Sequence, residues 1–123
     1  MAYKSFEDLE VWQRGCRLTV DIFQAFQRCK EFTLKDQIQR AALSIPCNVA
    51  EGAERGSNKD FAHFLNIAKG SCGELRTQLY IARKLDFIAK VESEKLVAES
   101  KELSAMLEGL RRSVLSRVAK RST

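Results

Sequence analysis

One histidine, one proline and six glycines are all that this 123-residue sequence holds of those three types. Scarcity of proline and glycine excludes a loop-rich or disordered chain, because such chains are enriched in both and poor in large apolar residues, whereas 45% of this one is hydrophobic. A catalytic triad, a histidine-rich metal site or a histidine relay would have to be built from His63 alone, which excludes most familiar catalytic constellations, and the chain reads as non-enzymatic and without a cofactor. No run approaches the ~18 unbroken apolar residues that a membrane helix needs. Lys4, Glu7 and Asp8 precede any apolar run, the wrong order for a secretory signal, and the expectation is a cytoplasmic protein with no membrane partner. Cys16, Cys29, Cys47 and Cys72 lie 13, 18 and 25 residues apart, without the close pairs of zinc and redox motifs. They read as reduced, small apolar side chains.

Charge of one sign is missing from the C-terminal stretch. Leu110 to Thr123 carries Arg111, Arg112, Arg117, Lys120 and Arg121 with no acid, while the other 109 residues hold 16 basic and 16 acidic side chains, so the net +5 resides here. Such a cluster attracts polyanions through phosphate neutralisation and counterion release, which makes these five residues the candidate nucleic-acid-binding set. Cations near a helix C-terminus also complement its dipole and keep the end solvated.

Apolar residues recur with helical period throughout, and strand signals are few. Four helices are expected at about 7–28, 34–55, 58–85 and 92–118. In the first, Leu9, Trp12, Cys16, Val20 and Phe23 form one stripe and Val11, Leu18 and Ile22 a second, a face wider than one partner helix requires. Thr33 with Asp36 reads as a capping pair opening the second helix, Gly56 as its left-handed stop, and Pro46 as a kink or break near Ser44–Cys47. Ser57 with Asp60 caps the third, whose stripe runs Phe61, Phe64, Leu65, Ala68, Cys72, Leu75, Leu79 and Ala82. Leu96, Ser100, Leu103, Leu107, Leu110 and Val114 give the fourth a coiled-coil-like seam. Long helices with short connections make an all-α, up-down antiparallel four-helix bundle of one domain, and the surplus apolar face on the first helix implies that monomers associate.

Polar residues follow the same period. Arg40, Ser44, Asn48, Glu51 and Arg55 line one side of the second helix, and Ser71, Glu74 and Gln78 one side of the third. If these stripes meet, Glu51 and Glu74 either form a carboxylate pair for acid–base or metal chemistry, or join Arg40, Ser44, Asn48 and Arg55 in a hydrogen-bonded network that decides which helices pair. The second reading is preferred. Asp60 and His63 stand three apart, but a ferritin-like di-metal site needs a second Glu-x-x-His, which one histidine cannot supply. Gly52–Lys59, GAERGSNK, lacks the spacing and the Gly-Lys-Ser/Thr ending of a phosphate loop and reads as a helix stop followed by a cap. The start of the third helix, with Arg55 and Lys59 nearby, could still hold a phosphate weakly.

The stretch RAALSIPCNVAEGAERGSNKDFAHFLNIAKGSCGELRTQL, Arg40 to Leu79, closely resembles the four-helix-bundle family of 23S rRNA intervening-sequence proteins, and FEDLEVWQ, Phe6 to Gln13, matches the start of that family. The resemblance runs from about Tyr3 to Ile88, and its motif falls on Arg40, Ser44, Asn48, Glu51, Gly52, Arg55, Gly70, Ser71 and Glu74. It implies a small bacterial cytosolic protein, of a kind sometimes encoded within ribosomal RNA genes. A related branch, the accessory variability determinant of diversity-generating retroelements, forms a five-fold barrel of such bundles and binds nucleic acid beside a reverse transcriptase. By resemblance, then, the association would be a homopentameric ring, with RNA or DNA and a reverse transcriptase or other protein as partners and no catalytic residue. Cys47 and Asp86 depart from the serine and glycine more common at those positions; the second departure leaves the end of the third helix open. Two functional readings follow: an oligomeric accessory protein that binds nucleic acid non-specifically through its basic C-terminal surface, or a protein–protein scaffold for a cytosolic enzyme.

Overall fold

The computed structural model describes residues 5–122, and side chains to residue 118. A 3-10 turn, Phe6–Asp8, leads into α1 (Glu10–Ala25), followed by α2 (Phe32–Glu54), α3 (Asn58–Lys84) and α4 (Lys90–Ser122). α3 packs most extensively, against both α2 and α4, while α1 lies mainly on α2 with thinner contact to α4. Paired residues run in opposite directions: Thr19 meets Ala42, Gly15 meets Pro46, Arg76 meets Ser100 and Lys69 meets Glu108. Neighbouring helices are therefore antiparallel, as short connections dictate. Among the described residues no helix is long and apolar enough to cross a membrane.

The α1–α2 contact is built around Pro46. α2 runs unbroken through it, so of the kink or break expected near Ser44–Cys47 the break does not occur. A proline has no N–H, and the carbonyl four residues back, Ala42 O, loses its helical donor. Thr19 on α1 supplies one: its buried hydroxyl donates to Ala42 O at 3.0 Å while also reaching Gly15 O at 2.8 Å. One turn away Gly15 lets the backbones approach, since a Cβ there would sit 3.4 Å from Pro46 Cβ, Cδ and N. These two positions decide which face of α1 is buried. Leu9, Val11, Gly15, Leu18, Thr19, Ile22 and Phe26 form the core side. The stripe of Leu9, Trp12, Cys16, Val20 and Phe23 is thus a core face only at its start, and Val20 and Phe23 end up 53% and 41% exposed.

At the helix ends, local chemistry overrode one expectation and met two others. Gly56 takes φ +86°, stopping α2, and Ser57 Oγ accepts from the Asp60 N–H at 3.1 Å, starting α3. The Thr33–Asp36 cap does not form: α2 begins one residue before Thr33, with Glu31 at the N-cap and no side-chain cap bond. The Glu31 carbonyl instead accepts from Lys35 N, and Lys35 Nζ donates to Gln27 O at 3.2 Å, which draws the incoming loop against the first turn. Gly52 is required by packing, because a Cβ would meet Phe64 Cβ at 2.6 Å where α2 and α3 converge on their turn. α3 ends at Lys84 in a Schellman motif, with Phe87 N–H donating to Ala82 O and Asp86 N–H to Arg83 O, and Asp86 itself adopts φ 62°. α4 begins at Lys90, two residues before the expected start, and runs past residue 118 to Ser122.

Among the described residues the core is apolar but for Thr19, Ser93 and Ser100. Ile38, Ile45, Val49, Leu65, Leu75, Leu79, Leu103, Leu107 and Val114 are fully buried. Ser100, equally buried within the leucine seam of α4, donates to Cys72 O at 3.1 Å and accepts from Arg76 Nη1 at 3.3 Å, so its hydroxyl is satisfied across the α3–α4 interface. Cys72 is buried beside it, and burial pushes its thiol up to about 11, which leaves it an inert apolar side chain.

Two stability predictions follow from these contacts. Thr19→Val removes the donor to Ala42 O and should destabilise the fold by about 1–3 kcal/mol in urea melts. In a Pro46→Ala background, where residue 46 regains its N–H, the same change should be distinctly milder; equal penalties in both backgrounds would show that the hydroxyl does not serve the proline's orphaned carbonyl. Asp86→Gly relieves the left-handed residue and removes an anion from a helix C-terminus, and should raise stability by about 0.5–1 kcal/mol. A neutral or negative change would count against the strain.

Candidate nucleic-acid interface

α4 sorts its charges by face. On the side toward α1, Arg14 donates to Glu102 Oε1 at 2.7 Å and pairs with Glu99, and Glu92 stands with Asp21 and Lys95 around the α1–α4 cleft. This side is acidic, and Arg14 of α1 answers two of its carboxylates. On the side toward α3 the balance reverses. Glu108 accepts from Lys69 Nζ at 2.8 Å, from Arg111 Nε and Nη2 at 2.8 Å each, and from Arg112 Nε at 2.8 Å. Hydrogen bonds from Arg111, Lys69 and Arg112, in that order, hold the Glu108 carboxyl far below the usual carboxylate range. One carboxylate is thus shared by three cations, and a surplus of positive charge stays at the surface.

The candidate C-terminal residues are only partly brought together. Arg111 is half-buried and Arg112 exposed, both anchored by Glu108, while Arg117 is half-buried one to two turns further along the same helix. The side chains of Lys120 and Arg121 lie outside the described residues. Lys69, which completes the cluster from α3, was not singled out in the sequence; the signal was available only through pairing, since nothing in the α3 pattern says that residue 69 stands opposite residue 108.

The polar stripe of α2 does not form the expected cross-helix network. Arg40 pairs with Asp36 at 2.9 Å, Ser44 Oγ donates to Ala41 O at 2.7 Å, Asn48 Nδ2 donates to Ser44 O at 2.7 Å and Arg55 pairs with Glu51 at 2.9 Å. All of these bonds close within α2, because the side chains face outward, where the nearest partner is one turn away on the same helix. Arg55 alone reaches across, its guanidinium 4.9 Å from the centre of the Phe64 ring. Glu74 is exposed on α3. Gly52 packs against Phe61 and Phe64, so Glu51 lies beside the first turns of α3, while Glu74 is at least ten residues, about 15 Å, further along. The two carboxylates cannot act as a pair. His63 is exposed, edge-on to Phe64 at 5.4 Å, and among the described residues no three His, Cys, Asp or Glu side chains cluster as metal ligands.

The Glu108 knot has a pH signature. Its pKa is depressed on folding from an ordinary 4.5, so its contribution to stability is complete well above that value and is lost as pH falls below it toward the folded-state pKa. The stability excess of the wild type over Glu108→Gln should therefore shrink from neutral pH to about pH 3 in urea melts. An excess that does not change with pH would mean that the three cations do not bind the carboxylate in solution.

The sequence profile of the 23S rRNA-intervening sequence protein family matches residues 7–109. That match extends well into α4, past the Ile88 limit of the resemblance read from motifs, and stops before Arg111. A crystal structure of a protein of unknown function from the S23 ribosomal protein family of Bacteroides thetaiotaomicron VPI-5482 superposes with a TM-score of 0.78 at 26% identity, covering 82% of this chain and 97% of that one. None of the curated proteins compared with the chain matches it. With its family profile spanning most of the bundle and a solved relative of the same fold, this chain belongs to the 23S rRNA-intervening sequence protein family.

Proposed function

We propose that this protein is a non-enzymatic, self-associating cytoplasmic accessory protein that binds RNA or DNA without sequence preference through the cationic surface on α4. The observation that carries this reading is the Glu108 cluster, in which Lys69, Arg111 and Arg112 surround one carboxylate and retain excess positive charge on an exposed helix. Phosphate oxygens compete well for such cations because each displaced counterion adds entropy. Self-association rests on a second surface. Cys16 and Val20 of α1 lie opposite Cys47 and Leu43 of α2 on the outward side of the Gly15–Pro46 contact, and Val20 and Leu43 are 53% and 48% exposed. Burying that strip against further copies would repeat the cationic surface around an assembly and raise a weak single-site affinity by avidity. A homopentameric ring and a reverse transcriptase partner remain what the resemblance implies, and both belong to this proposal.

Anisotropy titrations of labelled RNA and DNA against salt test the binding. Arg111→Ala/Arg112→Ala/Arg117→Ala should flatten the log K versus log salt slope by about 2 units, at roughly 0.7 to 0.9 per phosphate contact. An unaltered slope would place binding elsewhere. Light scattering should give a multimer for the wild type and a single subunit for Val20→Asp; a monomeric wild type would remove the ring.

A further inference from the structure

The cationic surface does not stop at the C-terminal end of α4. Along α3, positions 69, 73, 76, 80 and 83 follow the helical repeat that faces α4 and carry Lys69, Gly73, Arg76, Tyr80 and Arg83. Direct contacts tie this row to α4: Lys69 to Glu108, Arg76 Nη1 to Ser100 Oγ at 3.3 Å, and Tyr80 with Arg83 around a cleft of about 310 Å³ shared with Glu94, Ala98 and Lys101. Glu94 at the far end is met by Lys90 at 3.9 Å. With Arg111 and Arg112, this makes seven cations along the groove against three carboxylates: Glu108 and Glu94, both already paired, and Asp86, which stands with Arg83 and Lys90 at the far end.

Chemistry inside the groove is graded. Arg76 is half-buried at its floor, where bonds to Ser100 hold the guanidinium in place. Gly73 keeps the wall low beside it, a Cβ there having nothing within 4 Å but the Arg76 guanidinium at 3.8 Å. Arg83 and Lys101 are exposed on opposite walls, and among the described residues neither is paired with a carboxylate. Between Arg76 and Arg83 stands Tyr80, 48% exposed, an aromatic face with cations on both sides of it. From Lys69 to Arg83 the helix rises about 21 Å, the length of roughly six stacked nucleotides at 3.4 Å each.

We propose that the α3–α4 groove is a track for single-stranded nucleic acid, in which Lys69, Arg76, Arg83 and Lys101 take backbone phosphates and Tyr80 stacks a base. This deepens the function proposed above and rests on it, since it assigns the strand and the groove to the same cationic surface. A duplex, with its bases already stacked on one another, has no use for Tyr80, whereas a single strand gains from it.

The test uses the full chain with a short labelled oligouridine and an RNA duplex of equal length. Arg83→Gln/Lys101→Gln should flatten the salt slope for oligouridine by about 1.4 units. Tyr80→Ala should weaken oligouridine binding roughly 5- to 100-fold, with Tyr80→Phe near wild type and duplex binding unchanged. Circular dichroism melts should be unaltered, because all three side chains are exposed. If the Arg83/Lys101 variant keeps the wild-type slope while the Arg111/Arg112/Arg117 variant loses it, the groove is not the track and the broader function stands. If Tyr80→Ala weakens the duplex as much as the single strand, stacking is refuted. A wild type that binds neither probe at low salt overturns the groove and the broader function together.

Discussion

The orphaned carbonyl of Ala42 is the constraint on which the rest of this bundle turns. Pro46 in the middle of a helix leaves an acceptor that the helix cannot serve, and a buried carbonyl without a donor is worth about 1–3 kcal/mol of destabilisation, a large share of what a small domain has to spare. Thr19 serves it from α1, and Gly15 makes the approach close enough for the hydroxyl to arrive. Once those two positions must face α2, the rotation of α1 is settled. Cys16, Val20 and Phe23 turn outward, and the apolar surface proposed for self-association is created by the same contact that satisfies the proline.

That contact also explains what could be read from the sequence and what could not. Bundle class, helix number, the Gly56 stop and the Ser57 cap were legible, because each depends on residues within a turn of one another. The α4 seam was legible too, with Ser100 placed correctly among leucines although its partners, Cys72 O and Arg76, were not foreseeable. The orientation of α1 was not legible. Hydrophobicity ranks Val20 and Phe23 above Gly15 and Thr19, and only knowledge that residue 46 of another helix lies opposite inverts the ranking. The same limit applied to the α2 polar stripe. Its spacing correctly put Arg40, Ser44, Asn48 and Arg55 on one face, but spacing cannot tell a cross-helix network from bonds within one helix, and their bonds to Asp36, Ala41, Ser44 and Glu51 are of the second kind. At Asp86 the turn keeps its left-handed geometry with an aspartate in it.

Charge followed a different logic. Counting along the chain assigns the whole excess to the last fourteen residues, because elsewhere acids and bases cancel in number. In three dimensions they do not cancel in place. Glu92, Glu99 and Glu102 face α1, where Arg14 pairs with the last two, and so are turned away from Lys101, Arg83 and Arg76 on the opposite side. A helix whose acids and bases occupy different faces is locally polar in charge even where its sum is near zero. That segregation enlarges a terminal basic cluster into a groove, and it needs the bundle to exist.

The proposed self-association and the proposed polyanion binding would be coupled by geometry. The exposed Val20 and Leu43 lie on the α1–α2 side, and the cationic groove runs between α3 and α4. In a four-helix bundle with α1 against α2 and α4, and α3 between α2 and α4, those sides are opposite one another. Copies joined through the apolar strip would leave every groove open, so the proposed assembly would multiply the proposed binding sites without occluding any. Electrostatic repulsion between copies is also smallest in that arrangement, because the surfaces brought into contact are the ones that carry least of the net charge. Placing the grooves face to face instead would set seven cations against seven, and only a polyanion between them could hold such an interface together.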